Sequence, residues 1–232
     1  MVKAVRKIAR EEALRVAETK MVGDIGENIQ LYHNVPVLKT GFLAAISKGV
    51  DDPTNMKAQN ARIGNEIYLQ EYETKYWLSN KLDRPNVMYR LITFWYPTGG
   101  TPGVPTVDDI FTGATGTLPN TMLLRLNTDV IKVISDKYVF SDANYAQPTY
   151  YPTGGTVAVL GKERSQLKFI TNKFKSKKIK YDDSYGGLGP NTNYVKGSDI
   201  CTVICAYDSY GTLTTDNIAS YAVNWRITFK DP

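Results

Sequence analysis

The sequence predicts an all-β protein: a single jelly-roll β-sandwich of two four-stranded antiparallel sheets, preceded by a short basic N-terminal helix. Apolar and polar residues alternate over several segments of strand length, which is typical of strands with one buried face. Long loops rich in Gly, Pro, Thr and Asn separate these segments, and the 18 Gly and 16 Tyr favour strands and turns over helices. A chain of 232 residues is long enough for one such domain.

The first predicted element is a helix from residue 2 to about residue 20, which Gly23 and Gly26 are expected to end. Apolar residues recur along it at helical spacing: Val2, Val5, Ala9, Ala13 and Val16. This pattern divides the chain into an N-terminal arm over residues 1–22 and a jelly-roll domain over residues 23–232.

Seven extended segments follow the helix. They cover residues 27–42, 62–79, 87–96, 130–140, 166–183, 199–208 and 222–231. Segments 87–96 and 199–208 are apolar on both faces, which predicts central strands. A bend is expected at Asn172 within the basic segment, and residues 107–111 are expected to hold one helical turn.

Two of these segments predict which side chains face the core. In 222–231 the inward residues are Trp225, Ile227 and Phe229. In 62–79 the alternation puts Tyr68, Tyr72, Tyr76 and Leu78 on one side of the strand, opposite Ile67 and Leu69.

The cysteine and histidine content excludes several kinds of site. Cys201 and Cys205 lie four residues apart on one predicted strand, so their Cα atoms are about 13 Å apart, too far for a disulfide. Both are expected to be buried thiols. Because His33 is the single histidine, a multi-histidine metal site is excluded, and nothing near it resembles a nucleophile elbow. We expect no catalytic residue and no enzymatic activity.

Basic residues are concentrated in two segments of a chain whose net charge is +5. Residues 1–20 carry six basic and three acidic side chains, and residues 168–180 carry six lysines and no acid. Such clustering on a mildly acidic body indicates a polyanionic partner. The residues expected to bind nucleic acid are Lys3, Arg6, Lys7, Arg10, Arg15, Lys20, Lys175, Lys177 and Lys178. On a strand, Lys175 and Lys177 point away from Lys178 and Lys180, so one ligand does not meet both faces.

Short motifs follow one another in a characteristic order. They are RIGNEI (62–67), MYRLITFW (88–95), KVISDK (132–137) and RITFKD (226–231). In this order and spacing, over roughly residues 18–231, the chain resembles the capsid proteins of circular Rep-encoding single-stranded DNA viruses, the circovirus-like group. It departs from that pattern at its start, because the first ten residues carry four basic groups and no arginine run. It is more distantly similar to the coat proteins of small satellite RNA viruses.

The resemblance implies a viral coat protein that self-assembles into an icosahedral shell of about 60 copies and packages a single-stranded DNA genome through its basic N-terminal residues. The implied partners are other copies of the chain, the genome and an unidentified host receptor. The implied location is the virion, and the host nucleus or cytoplasm during assembly. Likeness to the satellite coat proteins leaves RNA open as the cargo. No apolar run reaches the roughly 18 residues needed to cross a bilayer, so membrane insertion is not expected.

Loop residues are expected at subunit interfaces or on the outer surface of such a shell. Tyrosine gives a large contact area with a polar tip, and proline keeps a loop from pairing as an edge strand. The expected residues are Tyr145, Tyr150, Tyr151, Pro102 and Pro105. The carboxylates of Asp108 and Asp109 are candidates for Ca²⁺, which prefers oxygen ligands. No other cofactor is expected.

A carbohydrate-binding β-sandwich module is the main alternative. Trp77 and Trp225 are the candidates to stack on sugar rings, although Trp225 alternates with core residues. This alternative leaves the basic segments unexplained.

Overall fold

A computed structural model describes residues 5, 8–9, 12–14, 16–49, 60–81, 83–84, 86–98, 104–113, 119–141, 164–182, 194–210 and 213–231. Strands dominate these residues. They are β1 (Glu18–Tyr32), β2 (Val37–Lys39), β3 (Glu66–Asn80), β4 (Val87–Pro97), β5 (Lys132–Phe140), β6 (Arg164–Asp182), β7 (Tyr194–Lys196), β8 (Ser198–Asp208) and β9 (Asn217–Asp231), with a helical turn α1 (Val107–Ile110) between β4 and β5. The predicted helical turn is confirmed.

Two antiparallel sheets form the sandwich, in the orders β1-β9-β3-β6-β7 and β2-β8-β4-β5. Apart from β7, the pairing is nested: β1 with β9, β2 with β8, β3 with β6 and β4 with β5. A long hairpin rolled on itself gives this arrangement, so the predicted jelly roll is confirmed. One sheet has five strands rather than four because the short β7 pairs with the end of β6.

The central strands β4 and β8 are buried on both faces, as their continuous apolar sequences predict. One face packs on the first sheet. The other carries Cys201, Val203 and Cys205 against α1 and the chain around Met122 and Ile131. Both cysteines are free and buried, which confirms their prediction. In β9, Trp225, Ile227 and Phe229 are also buried, as predicted.

The prediction for the two faces of β3 is wrong at the start of the strand. Ile67, Leu69, Tyr72 and Tyr76 are all buried. In a regular strand the two odd-numbered residues would face the opposite side from the two even-numbered ones. A β-bulge at Gln70, opposite residues 174–176 of β6, shifts the register and exchanges the two faces. The irregularity in β6 therefore lies beside Ser176, which has φ 49°, and not at the predicted Asn172, which pairs in register with Tyr72.

The predicted end of the N-terminal helix is also wrong. The described residues up to Val16 are helical, but β1 begins at Glu18 and continues through Gly23 and Gly26 in pairing with β9. Tertiary pairing thus overrides the local pattern, and β1 crosses the predicted domain boundary. Gly23 permits the pairing, since a Cβ there would collide with the carbonyl oxygen of Trp225.

Charged residues of the sequence motifs are buried where distant segments meet. Arg90 on β4 is 3% exposed. Its guanidinium binds both carboxylate oxygens of Asp136 on β5, at 3.0 and 2.7 Å, and donates to the carbonyl oxygens of Thr121 and Leu124. One side chain therefore joins β4, β5 and the intervening loop.

A second buried cluster ties the start of β1 to the end of β9. The carboxylate of Asp231 accepts a hydrogen bond from the Ile63 backbone amide at 2.7 Å and lies 3.5 Å from the Lys20 ammonium. Lys20 also donates to the Ala61 carbonyl oxygen at 3.0 Å. Arg62, fully buried, lies over the ring of Tyr181 at 4.0 Å.

Candidate nucleic-acid interface

The five-stranded sheet has one face turned away from the core, and we call it the outer sheet face. Cross-strand register defines its centre. It is formed by Glu71, Glu73, Lys75 and Trp77 on β3, by Thr228, Arg226, Asn224 and Ala222 on β9, and by Lys173, Thr171, Phe169 and Leu167 on β6. Beyond the bulge the same face continues through Tyr68, Lys178, Glu66 and Lys180.

Lysines and one arginine dominate the part of this face that runs from Glu73 of β3 towards Glu66. Lys178 and Lys180 both contact Glu66, at 2.5 and 3.6 Å, and the hydrogen bond from Lys178 lowers the pKa of that carboxyl. Arg226 and Lys75 contact Glu73 at 2.6 and 3.4 Å. These pairs are exposed, so each is worth little to stability, and the side chains can exchange partners with a polyanion.

The other part of the face, towards the end of β3 and the start of β6, is apolar and aromatic. Trp77 is 55% exposed, Phe169 59% and Leu167 66%. Trp77 lies directly opposite Leu167, and the Lys75 ammonium is 5.7 Å from the centroid of the Phe169 ring. An open groove of about 330 Å³ runs beside Trp77, lined by Glu27, Asn28, Ser79, Ser220, Tyr221 and Ala222.

The N-terminal helical segment ends beside the same face. The ammonium of Lys230 donates to the carbonyl oxygen of Leu14, and Lys230 pairs with Thr19 and Tyr68 across the sheet. The chain therefore enters β1 from the side of the outer sheet face. Five of the residues predicted to bind nucleic acid lie upstream and outside the described residues: Lys3, Arg6, Lys7, Arg10 and Arg15.

Lys20 does not have the exposure that its predicted role requires. It is 2% exposed, because it lies within β1 rather than on a helix, and its ammonium is held by Ala61 and Asp231. A polyanion does not reach it in this conformation.

The three lysines of β6 that are predicted to bind nucleic acid do not all lie on one side of the sheet. Lys178 lies on the outer sheet face, and Lys175 is exposed within the bulged part of the strand. Lys177 turns the other way, as its position predicts, and its ammonium lies 3.2 Å from the centroid of the Trp95 ring. Partial burial of that amine, and secondarily the charge of Lys132, lowers the pKa of Lys177 to about 8. Lys178 thus faces the same side as the N-terminal segment, and Lys177 does not.

The predicted interface residues are mostly beyond what the structure describes. Tyr145, Tyr150, Tyr151 and Pro102 lie outside the described residues. Pro105 is buried within the chain, immediately before the residue that caps α1, so its side chain is not on the outer surface of the subunit. The neighbouring Val104 is 66% exposed.

The carboxylate of Asp109, a predicted Ca²⁺ ligand, is used in the capping box of α1. It accepts hydrogen bonds from the Thr106 amide and hydroxyl and from the Tyr96 hydroxyl, and the Thr106 amide lowers the pKa of Asp109. Asp108 is exposed beside it. Among the described residues, no three His, Cys, Asp or Glu side chains converge as metal ligands do. In the same part of the chain, no helix is long and apolar enough to cross a membrane.

Sequence patterns identify Trp77 but not its partners Leu167 and Phe169. Segment 166–183 carries apolar residues at both parities, for example Phe169 and Ile170, so its alternation does not tell which side is buried. The deciding signal is the register with β3, which puts Leu167 opposite Trp77.

Comparison with solved structures finds distant likenesses. The structure is similar to a solved structure of the empty head of turnip yellow mosaic virus, with a TM-score of 0.31 and 8% sequence identity over 93% of this chain and 82% of that one. No protein-family model matches the chain, and no curated protein matches its sequence.

Proposed function

We propose that the chain is the coat protein of a circular single-stranded DNA virus, and that its copies assemble into an icosahedral shell around the genome. The jelly-roll fold and the order of its motifs support this proposal. The motif residues Arg90, Arg62 and Asp231 are buried, and Arg90 is paired with the partly exposed Asp136, so these motifs serve the fold of the subunit.

One observation carries the proposal: the basic N-terminal segment enters the fold on the same side as the lysine-bearing outer sheet face. Both basic parts of the sequence can thus meet one polyanion. Each ammonium or guanidinium that neutralises a phosphate releases a condensed counterion, so binding would weaken steeply with salt. Contacts of this kind hold a genome without reading its sequence.

The proposal gives the chain no catalytic role. Its partners would be other copies of itself, the genome and a host receptor, and its place would be the virion. Ca²⁺ at Asp108 and Asp109 would require further ligands from a neighbouring copy, since Asp109 is already hydrogen-bonded to Thr106 and Tyr96.

The test is the size of the assembly. The purified chain should form particles far larger than 25.9 kDa by light scattering and negative-stain microscopy, and nuclease treatment followed by extraction should recover protected nucleic acid. Digestion with DNase or RNase after extraction identifies the cargo. A monomer at every salt and protein concentration would contradict the proposal.

A carbohydrate-binding module is the second candidate, because Trp77 is exposed beside a groove lined by Glu27, Asn28, Ser79 and Ser220. Aromatic faces with a few polar groups suit sugar rings. Trp225, the other proposed sugar contact, is 5% exposed and packs against Phe42, so it is not accessible to a ligand. Binding of a monomer on a glycan array would favour this candidate.

A further inference from the structure

We propose that Trp77 and Phe169, with Lys75 adjacent to both on the outer sheet face, form a stacking platform for the bases of single-stranded nucleic acid. The inference rests on the proposed function, because it names the surface that would hold the cargo. It goes beyond phosphate neutralisation by assigning base contacts to particular side chains of the folded domain.

The placement of the aromatic side chains is the first argument. Trp77 on β3 and Phe169 on β6 are diagonal neighbours across two paired strands, since Trp77 is opposite Leu167 and Lys75 is opposite Phe169. Diagonal neighbours on a sheet are about 7–8 Å apart. An extended single strand can therefore place neighbouring bases on the two rings, as it does on the aromatic side chains of other open sheets.

Exposure is the second argument. Trp95 and Trp225 are 6% and 5% exposed, whereas Trp77 is 55% exposed. A large aromatic side chain is costly to leave in water, and Leu167 and Phe169 beside it enlarge the apolar patch. Every base has an apolar face of matching shape, so bases cover such a patch without selecting a sequence.

Charge is the third argument, and it favours a polyanion over a neutral sugar or a second copy. The Lys75 ammonium lies over the Phe169 ring at 5.7 Å. Lys173, Lys178 and Lys180 follow on the same face of β6, and the N-terminal segment reaches this side at Lys230. A strand whose bases stack on the platform would run its phosphates along these cations.

The experiment measures binding of a short oligothymidylate to the full chain at fixed salt. Variants are Trp77→Ala, Trp77→Phe and Phe169→Ala. The control is Leu123→Ala, which removes a side chain that is 81% exposed in the loop between β4 and β5. Inorganic polyphosphate serves as a polyanion without bases, and maltoheptaose as a neutral sugar. Circular dichroism selects variants that keep the strand signal, and Phe169→Ala provides the test if Trp77→Ala does not fold.

The oligothymidylate should quench tryptophan fluorescence, because the one exposed tryptophan of the described residues is at the platform. Trp77→Ala should weaken its binding by about 5- to 150-fold, the effect of losing one stacked base, and Phe169→Ala should act in the same direction. Trp77→Phe should recover most of the affinity, and Leu123→Ala should leave it unchanged. Polyphosphate should bind all variants alike.

Four results would overturn the platform. The first is equal oligothymidylate affinity in wild type, Trp77→Ala and Phe169→Ala. The second is an equal loss of polyphosphate binding, which would make the effect electrostatic. The third is quenching by maltoheptaose alone, which would assign the patch to a sugar. The fourth is a loss of self-association in Trp77→Ala without a change in oligothymidylate affinity, which would assign the patch to a second copy. If particles form normally but the platform test fails, the platform is wrong and the coat-protein proposal is unaffected. If oligothymidylate quenches the fluorescence but no particles form, the platform is supported and the coat-protein proposal is contradicted.

Discussion

Single residues that carry buried charge fix the relative positions of strands that are far apart in sequence. Arg90 is the clearest case, because its guanidinium satisfies a carboxylate and two backbone carbonyl oxygens at once. Such a group gives little net stability compared with an apolar residue. Removing one partner is nevertheless costly, because it leaves the other polar groups buried without a hydrogen-bond partner. We therefore expect the motif positions to be sensitive to substitution through their effect on the fold.

Replacing Arg90 with Met should lower the free energy of unfolding by about 3–5 kcal/mol. The variant leaves Asp136 and the carbonyl oxygens of Thr121 and Leu124 without their donor. Urea denaturation followed by circular dichroism measures the change. Lys178→Met is the matched control, because its ion pair with Glu66 is exposed and should cost no more than about 1 kcal/mol. Equal losses in the two variants would contradict the prediction.

Asp199 gives the fold a predictable pH dependence. Its carboxylate accepts hydrogen bonds from the Leu43, Ile200 and Ala44 amides, yet burial raises the pKa of Asp199 from 3.8 to about 6. A raised native pKa contributes stability that is complete below the unfolded pKa and is lost as pH rises through about 6. Wild type should lose up to about 3 kcal/mol from this group over that window.

Asp199→Asn tests this pH dependence, because the variant lacks the titration. Its unfolding free energy relative to wild type should therefore rise between pH 3.8 and pH 6 and be constant above that window. Asp109→Asn is the control of opposite sign: the Thr106 amide lowers the pKa of Asp109, so wild type loses this contribution only as pH falls below the ordinary carboxyl range. If the difference in unfolding free energy between Asp199→Asn and wild type does not change with pH, Asp199 is not the source of this pH dependence.

At the scale of elements, the sequence predicts strands well where one pattern decides them. β4 and β8 are apolar on both faces, and β9 alternates over 222–231, so these segments follow from the residues alone. The first residues of β9, from Asn217, precede the predicted segment, and Ile218 and Ala219 are buried side by side there. The start of β1 is instead predicted as helix, because apolar residues recur at helical spacing up to Val16 and no Gly or Pro interrupts them before Gly23. As an edge strand it is held by backbone pairing with β9, which side-chain patterns do not reveal.

The bulge at Gln70 has no sequence signal for the same reason. It exists only in the pairing of β3 with β6, where Gln70 donates to the Ser176 hydroxyl. The exchange of faces at this point decides that Ile67 and Leu69 are buried together with Tyr72. The candidate interface depends on the register in the same way, because Trp77, Leu167 and Phe169 become neighbours only through it.

Gly23→Ala tests the dependence of β1 on close pairing. A Cβ would meet the Trp225 carbonyl oxygen, so β1 must shift from β9, at a cost of about 1–3 kcal/mol. Hydrogen exchange should quicken for the β1 amides, and the urea midpoint should fall. Gly64→Ala is the control, since its Cβ would be 3.8 Å from the nearest atom and should change stability by no more than about 0.5 kcal/mol. Undisturbed exchange in Gly23→Ala would show that β1 does not need this close approach.

For the whole molecule, the distribution of charge decides how it meets a polyanion. The N-terminal segment is predicted from sequence to carry this role, and the structure describes where it joins the fold rather than its basic side chains. The sequence groups Lys20 and Lys177 with them, but Lys20 is buried beside Asp231 and Lys177, although exposed, lies against the Trp95 ring on the other side of the sheet. Composition identifies the basic segments, but the structure is needed to show which of their side chains a polyanion can reach.

Neutralising Arg6, Lys7 and Arg10 together, each to Gln, should weaken nucleic-acid binding and reduce its salt dependence. The slope of log affinity against log salt concentration should fall by about 0.7 for each phosphate that is no longer neutralised, or about 2 for three phosphates. The control neutralises three exposed lysines elsewhere, Lys81, Lys132 and Lys137. A slope that falls equally in both variants would show that net charge alone matters.

The two thiols of β8 have a practical consequence. Cys201 and Cys205 are the chain's two cysteines, and they are 2% and 0% exposed. Burial also raises the pKa of both thiols, which keeps them out of the reactive thiolate form. Maleimide dyes should therefore leave the native protein unlabelled, so a cysteine introduced at any surface position becomes a single attachment point for a fluorophore or spin label.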